Sequence, residues 1–273
     1  MATSNSILFH WKKSQKDFDQ QLSLLQQQIN TAAVHDIRVA IKKLRALLNL
    51  YILFKKEPGW EQQLKKTEIL FNILGRQRDV EICRSLTNRF EKETSGSCKE
   101  WKLYLQALLK ITSAWANQEM HHYHKKELTK IAWALKQDSE LPVDEEFYTA
   151  LTTIINTRLS STKKHLRKPH QVRQNLKEVY YWIGLFPADY TLETWHQDAL
   201  HSLLDDLGNW QDYEILLQRL KHFRKDYLPK AFEEYELLIA FQKKINNNKS
   251  LLLKNANSKV RSWMKKVMQL KQV

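Results

Sequence analysis

The chain has 273 residues, only five of them glycine and five proline. Lys and Arg number 44 and Asp and Glu 30, and a net charge of +14 favours an anionic partner. The two cysteines give neither a disulfide framework nor metal-site spacing. No apolar run is long enough to cross a membrane, and the amphipathic N-terminus is unlike a signal peptide. We therefore expect a cytoplasmic protein with no membrane partner.

Long stretches with helical periodicity predict an all-α fold. Proline is tolerated in a first helical turn and disruptive later, so the prolines are taken as marking helix starts. In chain order the pattern predicts eight helices, at 6–29, 33–56, 59–94, 99–137, 143–167, 169–185, 190–225 and 230–270. Glycine in a helix costs about 1 kcal/mol relative to alanine. We therefore expect a kink or a close helix approach at Gly75 and Gly208.

Two segments occur twice in the chain. VHDIRVAIKKLR at 34–45 returns as PHQVRQNLKEVY at 169–180, and each copy has His-x-x-Arg followed by Lys four residues later. LGRQRD at 74–79 returns as LGNWQD at 207–212, at nearly the same offset. Two matches at nearly one offset indicate an internal duplication.

The duplication predicts two similar halves that face each other, each with four helices. We assign 1–139 to the first half and 140–273 to the second, which together form one domain. The best candidate for the linker is the segment 137–142, which ends in a proline.

Cationic side chains form one stripe on the helix of each copy. At about 100° per residue, the stripe occupies an arc of roughly 80° beside an apolar packing stripe. Its members are His35, Arg38, Lys42 and Arg45 in the first copy, and His170, Arg173 and Lys177 in the second. Glu178 and Tyr180 dilute the second stripe, so we expect the first copy to carry more of the binding.

The first row spans about 15 Å, because residues one turn apart lie about 5.4 Å apart along a helix. A linear polyanion suits such a row better than a single phosphate does. A solvated helix face is the plain alternative, and the duplication argues against it. The two histidines either contact the anion or serve as helix caps or buried hydrogen-bonding groups.

The motif His-x-x-Arg-x-x-x-Lys-Lys-x-Arg, with Leu-Gly-x-x-Arg-Asp later in the chain, resembles the CHAD family, the conserved histidine α-helical domain. The resemblance spans essentially the whole chain. It implies two pseudo-symmetric four-helix bundles around a basic central channel that binds inorganic polyphosphate. We expect neither catalysis nor a cofactor. The matching positions are His35, Arg38, Lys42, Lys43, Arg45, Arg78 and Asp79, then His170, Arg173, Lys177 and Tyr181. Other polyanions and association with polyphosphate granules are compatible with this role.

Two arginines outside the stripes are further candidates for polyphosphate binding. Arg78 and Arg158 each align with apolar residues on their own helices, so each needs a carboxylate or a bound anion as a partner. The sequence leaves the choice between these partners open. It also leaves the oligomeric state open.

Two other classes of function remain as alternatives. A nucleic-acid-binding protein would interleave aromatic stacking platforms with basic residues, and only Tyr180 and Tyr181 lie near a stripe. A metal-dependent phosphohydrolase could start from His121, His122 and His124, but the His-Glu-x-x-His pattern is missing. We therefore predict no catalytic residue and no metal ligand.

Overall fold

The computed structural model describes residues 6–56, 59–94, 96–138, 144–187 and 195–269. Within these ranges the chain forms nine α-helices, one 3₁₀-helix and no strand. The helices are α1 Ser6–Gln27, α2 Thr31–Lys55, α3 Lys65–Thr94, α4 Lys99–His122, α5 Lys126–Gln137, α6 Asp144–Lys164, α7 Pro169–Ile183, α8 Gln197–Asp226 and α9 Glu234–Gln269, with the 3₁₀-helix at Trp60–Leu64. The predicted all-α fold is confirmed.

The single helix predicted at 99–137 is wrong, because a break that begins at Tyr123 separates α4 from α5. The backbone of Tyr123 is extended, and its buried hydroxyl lies 2.7 Å from Thr67 Oγ1. In the first turn of α5, Glu127 accepts hydrogen bonds from the backbone N–H groups of Lys66 and Thr67, at 2.9 and 3.1 Å. The break therefore allows a carboxylate of α5 to cap the N-terminus of α3.

Only one described helix begins at a proline. Pro169 is the first residue of α7, as predicted. Pro229 instead lies in a turn before α9, where its carbonyl accepts a hydrogen bond from the N–H of Phe232 at 3.1 Å, so its predicted place in a first turn is wrong. The remaining prolines lie in, or directly beside, segments outside the described residues.

The buried apolar residues form two clusters. The larger is built mainly from α1, α2, α5, α6 and α7 with the first part of α8. The smaller joins parts of α3, α4, α8 and α9. Both clusters contain residues from each of the predicted halves, which therefore share their cores. The predicted boundary at 139 and 140 lies outside the described residues, and the pair of four-helix bundles stays a prediction.

The two helices that carry the repeated motif, α2 and α7, pack against each other. The buried indole of Trp182 on α7 donates a hydrogen bond from Nε1 to the carbonyl of Ala46 on α2, at 2.8 Å. Near it, Asn49 Nδ2 donates to Glu178 Oε1 at 2.8 Å. These bonds fix the position of one motif helix relative to the other.

Trp182→Phe should lower the free energy of unfolding by about 2 kcal/mol, because it removes the indole hydrogen bond and leaves a cavity between α2 and α7. Urea denaturation measures this change. Trp133→Phe is the matched control, since Trp133 is 64% exposed and its replacement should change stability by no more than about 0.5 kcal/mol. Equal losses in the two variants would contradict this role for Trp182.

Candidate functional site

A cleft of about 1070 Å³ lies between the motif helices α2 and α7 and the long helices α3 and α8, with a contribution from α6. All ten residues predicted to bind polyphosphate line this cleft. They are His35, Arg38, Lys42, Lys43, Arg45, Arg78, Arg158, His170, Arg173 and Lys177. Tertiary packing therefore gathers cations from four helices into one concave surface.

Arg38 is held tightly at the wall of the cleft. Its Nη1 donates to the carbonyl oxygen of Phe71 at 2.6 Å, and its guanidinium lies 4.1 Å from the centroid of the Phe71 ring. Burial is the main cause that lowers the pKa of Arg38 to about 10, with the charge of Asp79 opposing the shift. Arg38 thus remains a cation at neutral pH, in a position fixed by α3.

The motif glycines lie beside the motif arginines. α3 continues through Gly75 without a break, and a Cβ at Gly75 would lie 2.5 Å from Arg38 Nη1. α8 likewise continues through Gly208, where a Cβ would lie 4.0 Å from Arg173 Nη2. The approach of an arginine side chain, which the sequence did not indicate, explains the need for glycine at Gly75.

Two lysines on neighbouring helices carry charges that repel each other. Burial is the main cause that lowers the pKa of Lys42 to about 7, and the charges of Lys177 and Arg38 lower it further. Burial and the charge of Arg173 also lower the pKa of Lys177, while Asp205 opposes this shift. An anion placed between these groups would relieve their repulsion.

The outer cations of the cleft have carboxylate neighbours. The pairs are Lys43 with Asp17 at 3.8 Å, Arg45 with Glu68 at 3.4 Å, Arg78 with Glu81 at 3.6 Å and Arg158 with Glu178 at 3.1 Å. The structure therefore supplies a carboxylate for both arginines whose partners the sequence left open. The pairs of Lys43 and Arg45 are solvent-exposed. Exposed pairs contribute about 1 kcal/mol or less, so these two side chains can turn towards a stronger anion.

Both motif histidines are exposed on the lining of the cleft. Neither is a helix cap, because Asn30 caps α2 and accepts a hydrogen bond from Ala33 N at 2.8 Å, and α7 is preceded by Lys168. Burial, followed by the charge of Arg78, lowers the pKa of His35. Of the roles left open by the sequence, contact with a ligand is therefore the one that their positions favour.

The two walls of the cleft differ in charge. The wall formed by α2 and α3 has five Lys and Arg side chains and one carboxylate, that of Asp79. The wall formed by α6, α7 and α8 has three Lys and Arg side chains and three carboxylates. At matching positions of the two copies, Lys43 corresponds to Glu178, Arg45 to Tyr180 and Arg78 to Gln211. The second wall is therefore close to neutral.

Several lining residues were missed by the sequence reasoning. Asn49, His201 and Asp205 lie outside the motifs, and no pattern in the chain indicated them. Gln211 was within reach of prediction, because it stands in the second copy where the first copy has Arg78.

The histidine cluster near the break between α4 and α5 has different neighbours. The Nδ1 atoms of His121 and His122 lie 2.8 and 2.7 Å from backbone carbonyls of their own helix. Across the described part of the chain, no three His, Cys, Asp or Glu side chains are grouped so that they could hold a metal ion. The same part of the chain contains no helix long and apolar enough to span a membrane.

On the anion-binding role that the sequence predicts, Gly75→Ala should weaken the binding of pyrophosphate by about tenfold, because the added methyl group displaces the Arg38 guanidinium from the Phe71 carbonyl. Isothermal titration calorimetry measures the affinity. Gly208→Ala is the matched control: its methyl group meets nothing closer than 4.0 Å. That variant should keep its affinity and gain up to about 1 kcal/mol in stability from helix propensity. Equal affinity losses would contradict the role assigned to Gly75.

Comparison with known proteins relates this cleft to one family. The CHAD domain family model matches residues 14–221. The fold is similar to that of the CHAD domain from the plant Ricinus communis, known from a crystal structure, with a TM-score of 0.75 and 14% sequence identity over 95% of this chain and 92% of that chain. No curated protein matches the chain. Since the family match covers well over half of the residues, the chain belongs to the CHAD domain family.

Proposed function

We propose that the protein binds inorganic polyphosphate in the cleft and does not hydrolyse it. The observation that carries the proposal is the convergence of eight Lys and Arg side chains on one concave surface that has only four carboxylates. Arginine offers a planar fork for two phosphate oxygens, and lysine a mobile point charge. A mixed set of both suits repeated phosphate groups.

The α2 wall supports an extended ligand rather than an isolated phosphate. Arg38, Lys42 and Arg45 follow one another along a rigid helix, about one turn apart, with a rise of about 5.4 Å per turn. Lys177 approaches this row from α7. A phosphate chain that follows the row would place negative charge among cations that otherwise repel each other.

Binding without catalysis is the second part of the proposal. Among the described lining residues there is no Ser, Thr or Cys that could act as a nucleophile. The carboxylates of Asp79 and Asp212 lie close to arginines, Arg219 and Arg173 respectively. We propose that each of the two carboxylates orients the arginine beside it. A cytoplasmic location and association with polyphosphate granules belong to the same proposal.

Nucleic acid is the rival ligand. Apart from the imidazole of His35, the strongly basic wall has one aromatic ring, Phe71, and the guanidinium groups of Arg38 and Arg45 cover it at 4.1 and 5.2 Å. Successive bases of a single strand would therefore find no series of stacking surfaces on that wall. The basic wall therefore favours a polyanion that carries no bases.

Long-chain polyphosphate should bind in a salt-sensitive manner and displace single-stranded DNA and RNA of matched charge, because the basic wall recognises phosphate alone. Fluorescence competition at several salt concentrations measures this order.

Combined Arg38→Glu and Arg45→Glu should weaken polyphosphate binding about 100-fold or more while circular dichroism shows the helices retained.

Lys12→Glu combined with Lys16→Glu is the control for that variant. It makes the same change in net charge on the exposed face of α1, outside the cleft, and affinity should change little. Tighter binding of nucleic acid than of polyphosphate would refute the proposal. Shortening of the polymer on incubation with a divalent metal would refute its non-catalytic part.

Polyphosphate binding at pH 8 should take up a proton, because the pKa of Lys42 is about 7 in the free cleft and a bound anion raises it. Affinity should therefore fall as pH rises above 7, over the range in which only the bound form is protonated. Calorimetry in buffers of different ionisation enthalpy measures the uptake, which Lys42→Met should reduce. An affinity that does not change between pH 7 and pH 9 would contradict this prediction.

A further inference from the structure

We infer that the near-neutral wall of the cleft, formed by α6, α7 and α8, is a subsite for the nucleoside part of a nucleoside polyphosphate whose phosphates lie on the basic wall. The inference rests on the proposed function for its phosphate part. It adds a ligand class to that function: a phosphate chain esterified at one end by a nucleoside.

The first argument is the carboxylate content of this wall. Its three carboxylates, those of Glu178, Asp205 and Asp212, equal its Lys and Arg side chains in number. The Asp205 side chain is 66% exposed and lies 3.2 Å from His201 Nδ1. Bare polyphosphate has no hydrogen-bond donor for a carboxylate at neutral pH and would be repelled by it. Ribose hydroxyls and base amino groups are donors, and carboxylates bind ribose in other nucleotide sites.

The second argument is an aromatic surface beside a phosphate-binding cation. Tyr180 stands where the first copy has Arg45. Its ring centroid lies 5.7 Å from that of His201 and 5.8 Å from that of Tyr181, in edge-to-face arrangements. Lys177 is one helical turn away on the same face. A base packed against Tyr180 and His201 would therefore leave its phosphates within reach of Lys177.

The third argument is the replacement of a cation by a side-chain amide. Gln211 stands where the first copy has Arg78, which lines the basic wall. Asn209 and Gln174 line the same wall as Gln211. An amide offers both donors and acceptors, and so matches the edge of a base or a ribose, but it neutralises no phosphate.

The residues that are identical in the two copies of the motif indicate where the two subsites meet. His170, Arg173 and Lys177 keep the identity of their counterparts in the first copy. The second wall thus keeps the motif groups of α7 as far as Lys177, and its cations are replaced from Glu178 onwards along that helix and on α8. A single nucleoside fits this pattern better than a strand, because the covered Phe71 ring leaves further bases without a series of platforms on the basic wall.

The test is calorimetry with adenosine triphosphate, ribose 5-triphosphate, methyl triphosphate and inorganic tripolyphosphate, all without divalent cations. Adenosine triphosphate should bind about tenfold more tightly than tripolyphosphate and methyl triphosphate, since stacking of a base on an aromatic side chain is worth about one decade in affinity or more. Ribose 5-triphosphate should lie between them. Charge alone predicts that tripolyphosphate binds at least as tightly as the three esters, because it is at least as negative as they are.

Tyr180→Arg installs the residue of the first copy, and it should strengthen tripolyphosphate binding while it removes the preference for the nucleotide. Tyr180→Phe should keep the preference, because the ring remains. Tyr227→Arg is the control for added charge: Tyr227 is 59% exposed and lies outside the lining of the cleft. That variant should leave both affinities unchanged. Asp205→Asn is a second test. It should weaken the binding of adenosine triphosphate and ribose 5-triphosphate, and it should not weaken the binding of methyl triphosphate or tripolyphosphate.

The outcomes separate this inference from the proposed function. Equal affinities for adenosine triphosphate and tripolyphosphate, with tight binding of long-chain polyphosphate, would overturn the nucleoside subsite alone. Absence of binding for every phosphate ligand would overturn both. Tighter binding of single-stranded RNA than of adenosine triphosphate would replace the mononucleotide by a strand and so would also overturn the inference.

Discussion

The packing of α2 against α7 is the constraint on which the cleft depends. It holds Lys42, Arg38 and Arg173 near Lys177, in surroundings dry enough to lower the pKa of both lysines. Concentrating like charges in this way costs free energy, and the buried interface that includes Trp182 offsets the cost. A protein selected for stability alone gains nothing from such a cluster. An anion bound in the cleft, as we propose, would neutralise this cluster.

The two copies of the repeated motif share some features in the cleft and differ in others. Each copy places a motif arginine beside a glycine of a neighbouring long helix, Arg38 beside Gly75 and Arg173 beside Gly208. The approach is close at Gly75 and looser at Gly208. The charges around the two glycines differ, so that one wall is basic and the other close to neutral. One framework can thus present two different surfaces to the two ends of a ligand.

Helical periodicity was sufficient to predict the fold class and the basic stripes of α2 and α7, because both depend on which side chains share a face of one helix. It failed at the junction of α4 and α5, where no glycine or proline marks the break. The break is stabilised by contacts with α3, those of Tyr123 and Glu127 with Thr67, which are distant in sequence. Gly75 was interpreted locally as a kink or a helix contact, whereas its neighbour is the side chain of Arg38.

The sequence by itself determined the all-α class, the repeat and ten Lys, Arg and His residues that line one cleft. It did so because residue type and spacing decide which groups project together from a helix. Only the tertiary structure decided which faces meet, and with that the burial of Lys42, the approach of Arg38 to Gly75 and the neutrality of the second wall. These properties depend on distances through space between helices, since the strength of a charge interaction is set by separation and burial rather than by position in the chain.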